Sequence, residues 1–107
     1  MLEFEYETKV IDGKGVIAVT GDFDNEQAGE ALRLAFNKLF DAGERTIVLD
    51  LAAVEIINSY GIGKILIHQK RLKTEGGELK VARLSGFVKE AFDALMLERL
   101  LPVDNQL

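Results

Sequence analysis

Asn58 and Ser59 stand where an apolar run gives way to a helical pattern, and both residue types suit work at a helix start. The segment 46–63 reads TIVLDLAAVEIINSYGIG. Its Ile47-Val48-Leu49 triplet is short and apolar on both faces, as a buried parallel strand is. Asp50 follows, then Val54 and Ile56-Ile57, then the polar pair. Backbone N–H groups in the first turn of a helix lack partners inside it, and Asn or Ser side chains supply them. The same placement leaves a serine hydroxyl at the positive end of the helix dipole. As residues alone, Ser59 reads as a capping serine and Asn58 as a cap or turn residue.

The other groups that could do chemistry are few. Asp22 and Asp24 could pair for metal or acid–base work, though their setting, Gly21-Asp22-Phe23-Asp24, reads as a turn and cap. Asp50 falls near the end of a parallel strand, where sites often lie. His68 is the single histidine and reads as a solvated helix residue. With no cysteine and no second histidine, a zinc site has no ligand set. Gly61-x-Gly63 lacks the third glycine and the Lys-Ser/Thr of nucleotide-binding loops. Ser59 and His68 would lie about 13 Å apart along one helix, too far for a nucleophile and its base. A small enzyme would need Asp22, Asp24 and Asp50 to converge on a pocket. The expectation is therefore no catalytic residue, no metal and no cofactor.

Positioning these residues falls to a chain of 107 residues, which is enough for one domain, 1–107, with a modest core. A hydrophobic content of 48% excludes a disordered chain. A net charge of −5 without blocks of like charge argues against a nucleic-acid phosphate backbone as partner. The acidic start, MLEFEYETKV, is the wrong composition for a signal peptide. No apolar run reaches membrane-spanning length. Together with the absence of cysteine, these features suggest a cytoplasmic protein that engages no membrane.

Residues 2–10 alternate, with Leu2, Phe4, Tyr6, Thr8 and Val10 on one face and Glu3, Glu5, Glu7 and Lys9 on the other. That is a half-exposed edge strand. Asp12-Gly13-Lys14-Gly15 is turn chemistry, and Val16-Ile17-Ala18-Val19 completes a hairpin. Ala28, Ala31, Leu32, Ala35, Phe36, Leu39 and Phe40 recur at helical spacing after the possible caps Asp24 and Asn25, with Gly43 as terminator. The helix after Ser59 puts Ile62, Ile65, Leu66, Gln69 and Leu72 on one side and Tyr60, Lys64, His68 and Arg71 on another. Gly76-Gly77 ends it. Leu79-Lys80-Val81-Ala82 is the last strand. A third helix carries Val88, Ala91, Phe92 and Leu95, and Leu97, Leu100, Leu101 and Val103 close the chain against the body. The order β-β-α-β-α-β-α predicts an α/β fold: a mostly parallel sheet of four to five strands with an antiparallel edge strand, packed against helices.

Residues 48–63 resemble the signature segment of STAS domains, the fold of bacterial anti-sigma factor antagonists. Ser59, Gly61, Ile62 and Gly63 match the family's motif, and the 21–24 turn matches apart from the Phe23 ring. Asn58 stands where the family has aspartate, and Tyr60 where it has a small residue. The resemblance covers nearly the whole chain. It implies that Ser59 is the residue a partner kinase phosphorylates and that Asp24 lies near the kinase surface. It further implies a cytoplasmic, non-catalytic binding module in transcription regulation and stress response, a monomer or weak homodimer. Its partners would be an anti-sigma factor serine kinase, bound when Ser59 is unphosphorylated, and a phosphatase. Asp22, Asp24, Asn58, Ser59, Tyr60 and Lys64 would form the docking patch. The alternative that Asn58 and Tyr60 raise is a STAS-like scaffold subunit of a signalling or transporter complex, without the phosphoswitch.

Overall fold

The computed structural model describes residues 4–106. The alternating start forms β1 (Glu5–Ile11), which pairs antiparallel with β2 (Lys14–Thr20). Asp12 and Gly13 join them with φ of 50° and 79°, the left-handed pair whose twist suits a two-residue hairpin. Glu5, Glu7 and Lys9 face solvent, while Tyr6 and Thr8 are half-buried. Val10 departs from the expected face and is 56% exposed. It sits at the hairpin end of an edge strand opposite Gly15, which offers no side chain to cover it. Leu2 and Glu3 lie outside the described residues.

After β2 the chain turns at Gly21 (φ 112°) into α1 (Glu26–Asp41). Asn25 takes the cap, its Oδ1 accepting from the Ala28 N–H at 3.0 Å. β3 (Thr46–Ala53) runs parallel to β2, and β4 (Glu78–Ala82) parallel to β3. The helices between and after them are α2 (Ser59–Thr74) and α3 (Gly86–Ala94), followed by a 3-10 turn, Leu97–Arg99. The sheet order is β1-β2-β3-β4, the mostly parallel arrangement with an antiparallel edge that the element order predicts. The C-terminal segment lies beside β4: Val81 donates to the Pro102 carbonyl at 2.9 Å, and Asp104 donates to the Val81 carbonyl at 2.8 Å. This covers the outer edge of β4 without making a full fifth strand.

One apolar cluster joins the sheet to the helices. It takes Ile17, Val19, Ile47, Leu49, Leu51, Leu79 and Val81 from alternate strand positions. From the helices it takes Leu32, Phe36, Leu39, Ile62, Ile65, Leu72, Val88 and Phe92. The stripe on α1 is as the periodicity predicts. On α2 two assignments change. Leu66 is only half-buried at the rim of the apolar stripe, and His68 is buried, not solvated. Gln69 is buried as expected, for a reason that spacing does not reveal. Its Nε2 donates to the carbonyls of Leu79 (2.8 Å) and Leu100 (2.7 Å), and its Oε1 accepts from the Leu79 N–H at 2.7 Å. The amide thus acts as a strand residue beside β4. Leu95 falls beyond the end of α3 and is 60% exposed, because the chain turns away at Met96 with φ 54°. Of the four closing residues, Leu97 and Leu101 are buried while Leu100 and Val103 are exposed.

Candidate functional site at the edge of the sheet

Two strand-to-helix turns meet at one end of the sheet. Phe23, fully buried, donates its N–H to the Ile56 carbonyl at 2.8 Å, and Phe23 and Ile57 form an isolated parallel bridge. The turn into α1 is thereby laced to the connection into α2. Asn58 is the cap of α2. It sits in extended backbone (φ −131°), and its Oδ1 accepts from the Gly61 N–H at 3.1 Å. Its Nδ2 donates across the gap to the Asp24 carbonyl at 3.3 Å. Asp24 in turn accepts from the Asn25 side chain at 2.9 Å.

Ser59 is therefore not the cap. It is the first helical residue, exposed, and its hydroxyl bonds to no other described residue. The capping role that the sequence offers to either residue falls to Asn58, which sits one place earlier with the required backbone. Asp22 is exposed and Asp24 half-buried on the same edge.

Gly61 explains how closely the turns pack. A Cβ there would stand 2.2 Å from the Phe23 carbonyl oxygen, so only glycine lets α2 start against this turn. Gly63 differs: a Cβ there would meet nothing within 4 Å.

Tyr60 does not project freely. Its ring lies against α1 at Gly29, where an added Cβ would stand 2.8 Å from the phenol oxygen. The Lys64 Nζ sits 5.3 Å from the ring centroid. Residues 60, 64 and 68 share one stripe of α2 facing Glu26, Gly29, Glu30 and Arg33 of α1. Together with Ile67 they line a cleft of about 410 Å³. Glu30 and Arg33 pair at 2.6 Å, and that bond holds the Glu30 carboxyl below its usual range. His68 stacks on Phe36 at 4.5 Å between ring centroids, and its Nδ1 is buried without a hydrogen-bond partner. Burial, reinforced by Arg71, Lys64 and Arg33, lowers its pKa to about 4. A neutral imidazole filling a core position is the result.

Asp50 is buried, but it is not free. Arg83 grips it through both Nε (3.1 Å) and Nη2, and the Ala52 N–H donates to it at 3.0 Å. Among the described residues no three histidine or acidic side chains gather as a metal site would require. Asp22, Asp24 and Asp50 do not form the convergent set that the enzyme reading needs.

Sequence reasoning missed Gly29 and Arg83. Gly29 interrupts a strong helical stripe at a cost, which is a signal that something approaches its backbone. Arg83 carries no sequence signal, because its pairing with Asp50 spans 33 positions.

A parallel sheet entered through an antiparallel hairpin, with a capped Asn-Ser start to the second helix, defines a small class of α/β domains. The chain belongs to the STAS domain family, whose model matches residues 5–107. It is 33% identical over 95 residues to BtrV of Bordetella bronchiseptica, named as a candidate anti-sigma factor antagonist, covering 89% of this chain and 81% of that one. The fold also matches an anti-sigma factor antagonist from Mycobacterium paratuberculosis, with a TM-score of 0.81 at 22% identity over 97% of this chain and 87% of that one. SpoIIAA, the Bacillus cell fate determinant, matches in its phosphorylated form with a TM-score of 0.70 at 18% identity, over 94% and 92% of the two chains. No helix among the described residues is long and apolar enough to cross a membrane.

Proposed function

We propose that this protein is a phosphorylation-regulated binding module of the anti-sigma factor antagonist type. Unphosphorylated, it binds an anti-sigma factor serine kinase and releases the sigma factor. Phosphorylation of Ser59 breaks that complex, and a phosphatase restores it. The ATP is the partner's, and the domain contributes no chemistry of its own. The observation that carries this reading is Ser59 itself, exposed on the first turn of α2 with a hydroxyl that the fold does not use. The docking patch comprises Asp22, Asp24, Asn58, Ser59, Tyr60 and Lys64, drawn from two turns laced by the Phe23–Ile57 bridge. A phosphate would add about −1.5 to −2 charges there. The helix dipole tolerates an anion at this end, so the fold survives and repulsion falls on the docked partner. The relative named as an anti-sigma factor antagonist and the phosphorylated SpoIIAA neighbour support the reading.

A second reading follows from Asn58, whose amide is spent on the cap and on Asp24 and is not a base. On that reading the domain is a constitutive scaffold without a switch. Calorimetry with the cognate kinase, together with phosphate transfer from ATP, separates the two. Under the switch Ser59→Ala binds as wild type, Ser59→Asp binds more weakly, and Asn58→Asp raises the rate of labelling at Ser59. If Ser59→Asp binds as tightly as wild type and Ser59 is never labelled, the scaffold reading replaces the switch.

A further inference from the structure

The two glycines of the α2 motif have different reasons to be glycine. Gly61 is required by the Phe23 carbonyl, whereas Gly63 has open space where its side chain would be. Glycine is the poorest helix former after proline, and Gly63 sits inside the second turn of a 16-residue helix without the positive φ that would excuse it. Four residues on, at the same outward position, stands Ile67, 59% exposed. Ser59, Gly63 and Ile67 follow one line along α2, with Ser59 and Ile67 exposed, Gly63 half-buried, and Ile67 at the edge of the cleft against α1. A surface helix ordinarily carries charged or polar residues there. The two successive departures are one residue too small, with open space at its Cβ position, and one too apolar, with most of its side chain in solvent. Local inconsistency of this kind is expected where a sequence serves a partner.

We infer that the protein bound at Ser59 crosses α2 directly over Gly63, making its closest backbone approach there, and seats an apolar side chain on Ile67. The inference rests on the proposed role of Ser59 and extends that docking surface about 12 Å along the helix. Lys64 and Lys70 flank the line, and neither is held in a salt bridge among the described residues. The crossing segment is therefore apolar at its centre and acidic at its edges. Tyr60 leans away towards Gly29 and leaves the line open.

The test uses the full chain and the anti-sigma serine kinase of the same organism. Gly63→Ala improves the helix and raises the melting temperature by about 2–6 °C, yet weakens kinase binding about tenfold. Gly63→Leu weakens binding further, and Ile67→Gln weakens it with the melting temperature nearly unchanged. A fall in melting temperature for Gly63→Ala overturns the inference, because the glycine then serves the fold. Binding within about twofold of wild type for Gly63→Leu and Ile67→Gln, while Ser59→Asp still dissociates, also overturns it and leaves the switch standing. If wild type neither binds the kinase nor is labelled by it, the switch itself falls and this inference falls with it.

Discussion

Exchanging Asn58 or Ser59 for alanine separates two residues that look alike in the sequence. Asn58→Ala removes the 3.1 Å bond from the Gly61 N–H and the 3.3 Å bond to the Asp24 carbonyl. A lost N-cap of this kind costs about 1 kcal/mol. The second bond is long and exposed, and adds about 0.5 kcal/mol at most. The total is about 1–1.5 kcal/mol. Ser59→Ala removes a hydroxyl with no partner and introduces a better helix former, so the change stays within about 0.5 kcal/mol of zero. Asn58→Asp keeps the cap and gains about 0.3–1 kcal/mol from the dipole. It also turns a donor into an acceptor facing the Asp24 carbonyl, so its net effect lies near zero. Urea denaturation at neutral pH reads all three, with an unchanged m-value showing that only stability moved. Ser59→Ala costing as much as Asn58→Ala would refute the assignment of the cap.

Four further outcomes follow from the same contacts. Gly61→Ala destabilises by several kcal/mol, judged by thermal melting, because the clash is with the backbone oxygen of Phe23 at 2.2 Å and neither turn can yield cheaply. Ile65→Ala costs about 2–5 kcal/mol and Leu66→Ala clearly less, since Ile65 is fully buried and Leu66 sits at the rim. His68 keeps its proton off in the folded state down to about pH 4, while the unfolded chain takes one up below its ordinary value of 6.5. Its contribution is thus whole above that value and is lost as pH falls from there towards 4, about 3 kcal/mol in all, and urea melts of wild type against His68→Phe should show the stability difference changing only within that window and holding steady on either side of it. Gly29→Ala is near neutral in wild type, where better helix propensity offsets the displaced Tyr60 ring, and stabilises by about 1 kcal/mol in a Tyr60→Ala background; absence of that coupling in a double-mutant cycle would place the ring elsewhere.

What the sequence made legible was what repeats along it. The periods of α1, β1 and the buried triplet of β3 show directly in the chain, because one face of each is buried and side-chain spacing records that face. The hairpin was legible in Asp12-Gly13, whose backbone preferences are local. Contacts between distant positions were not. His68 reads as solvated because its neighbours in the helix are charged, yet Phe36 on α1 supplies an apolar seat. Leu100 and Val103 read as closing residues, but the groups that fasten the C-terminus are the carbonyl of Pro102 and the N–H of Asp104. Asp50 reads as a candidate site until Arg83 is found beside it.

Tyr60 shows how such distant contacts bear on the site. A large ring after Ser59, where the resemblance leads one to expect a small residue, reads from sequence as part of the docking patch and as a reason to weigh the scaffold alternative. Gly29, on another helix, gives the ring a place to lie. Lys64 then sits beside the ring and not over Ser59's outward line. The fold therefore invests in Asn58, Gly61, Phe23 and the Tyr60–Gly29 contact, and leaves Ser59 with no bond to lose. A hydroxyl that contributes nothing to stability can take a phosphate without the domain opposing it. Under the proposed switch, the free energy of the added charge would fall on the partner docked at Ser59. That division of labour, a rigid capped start with one idle hydroxyl at its tip, is what a switch by modification requires of its scaffold.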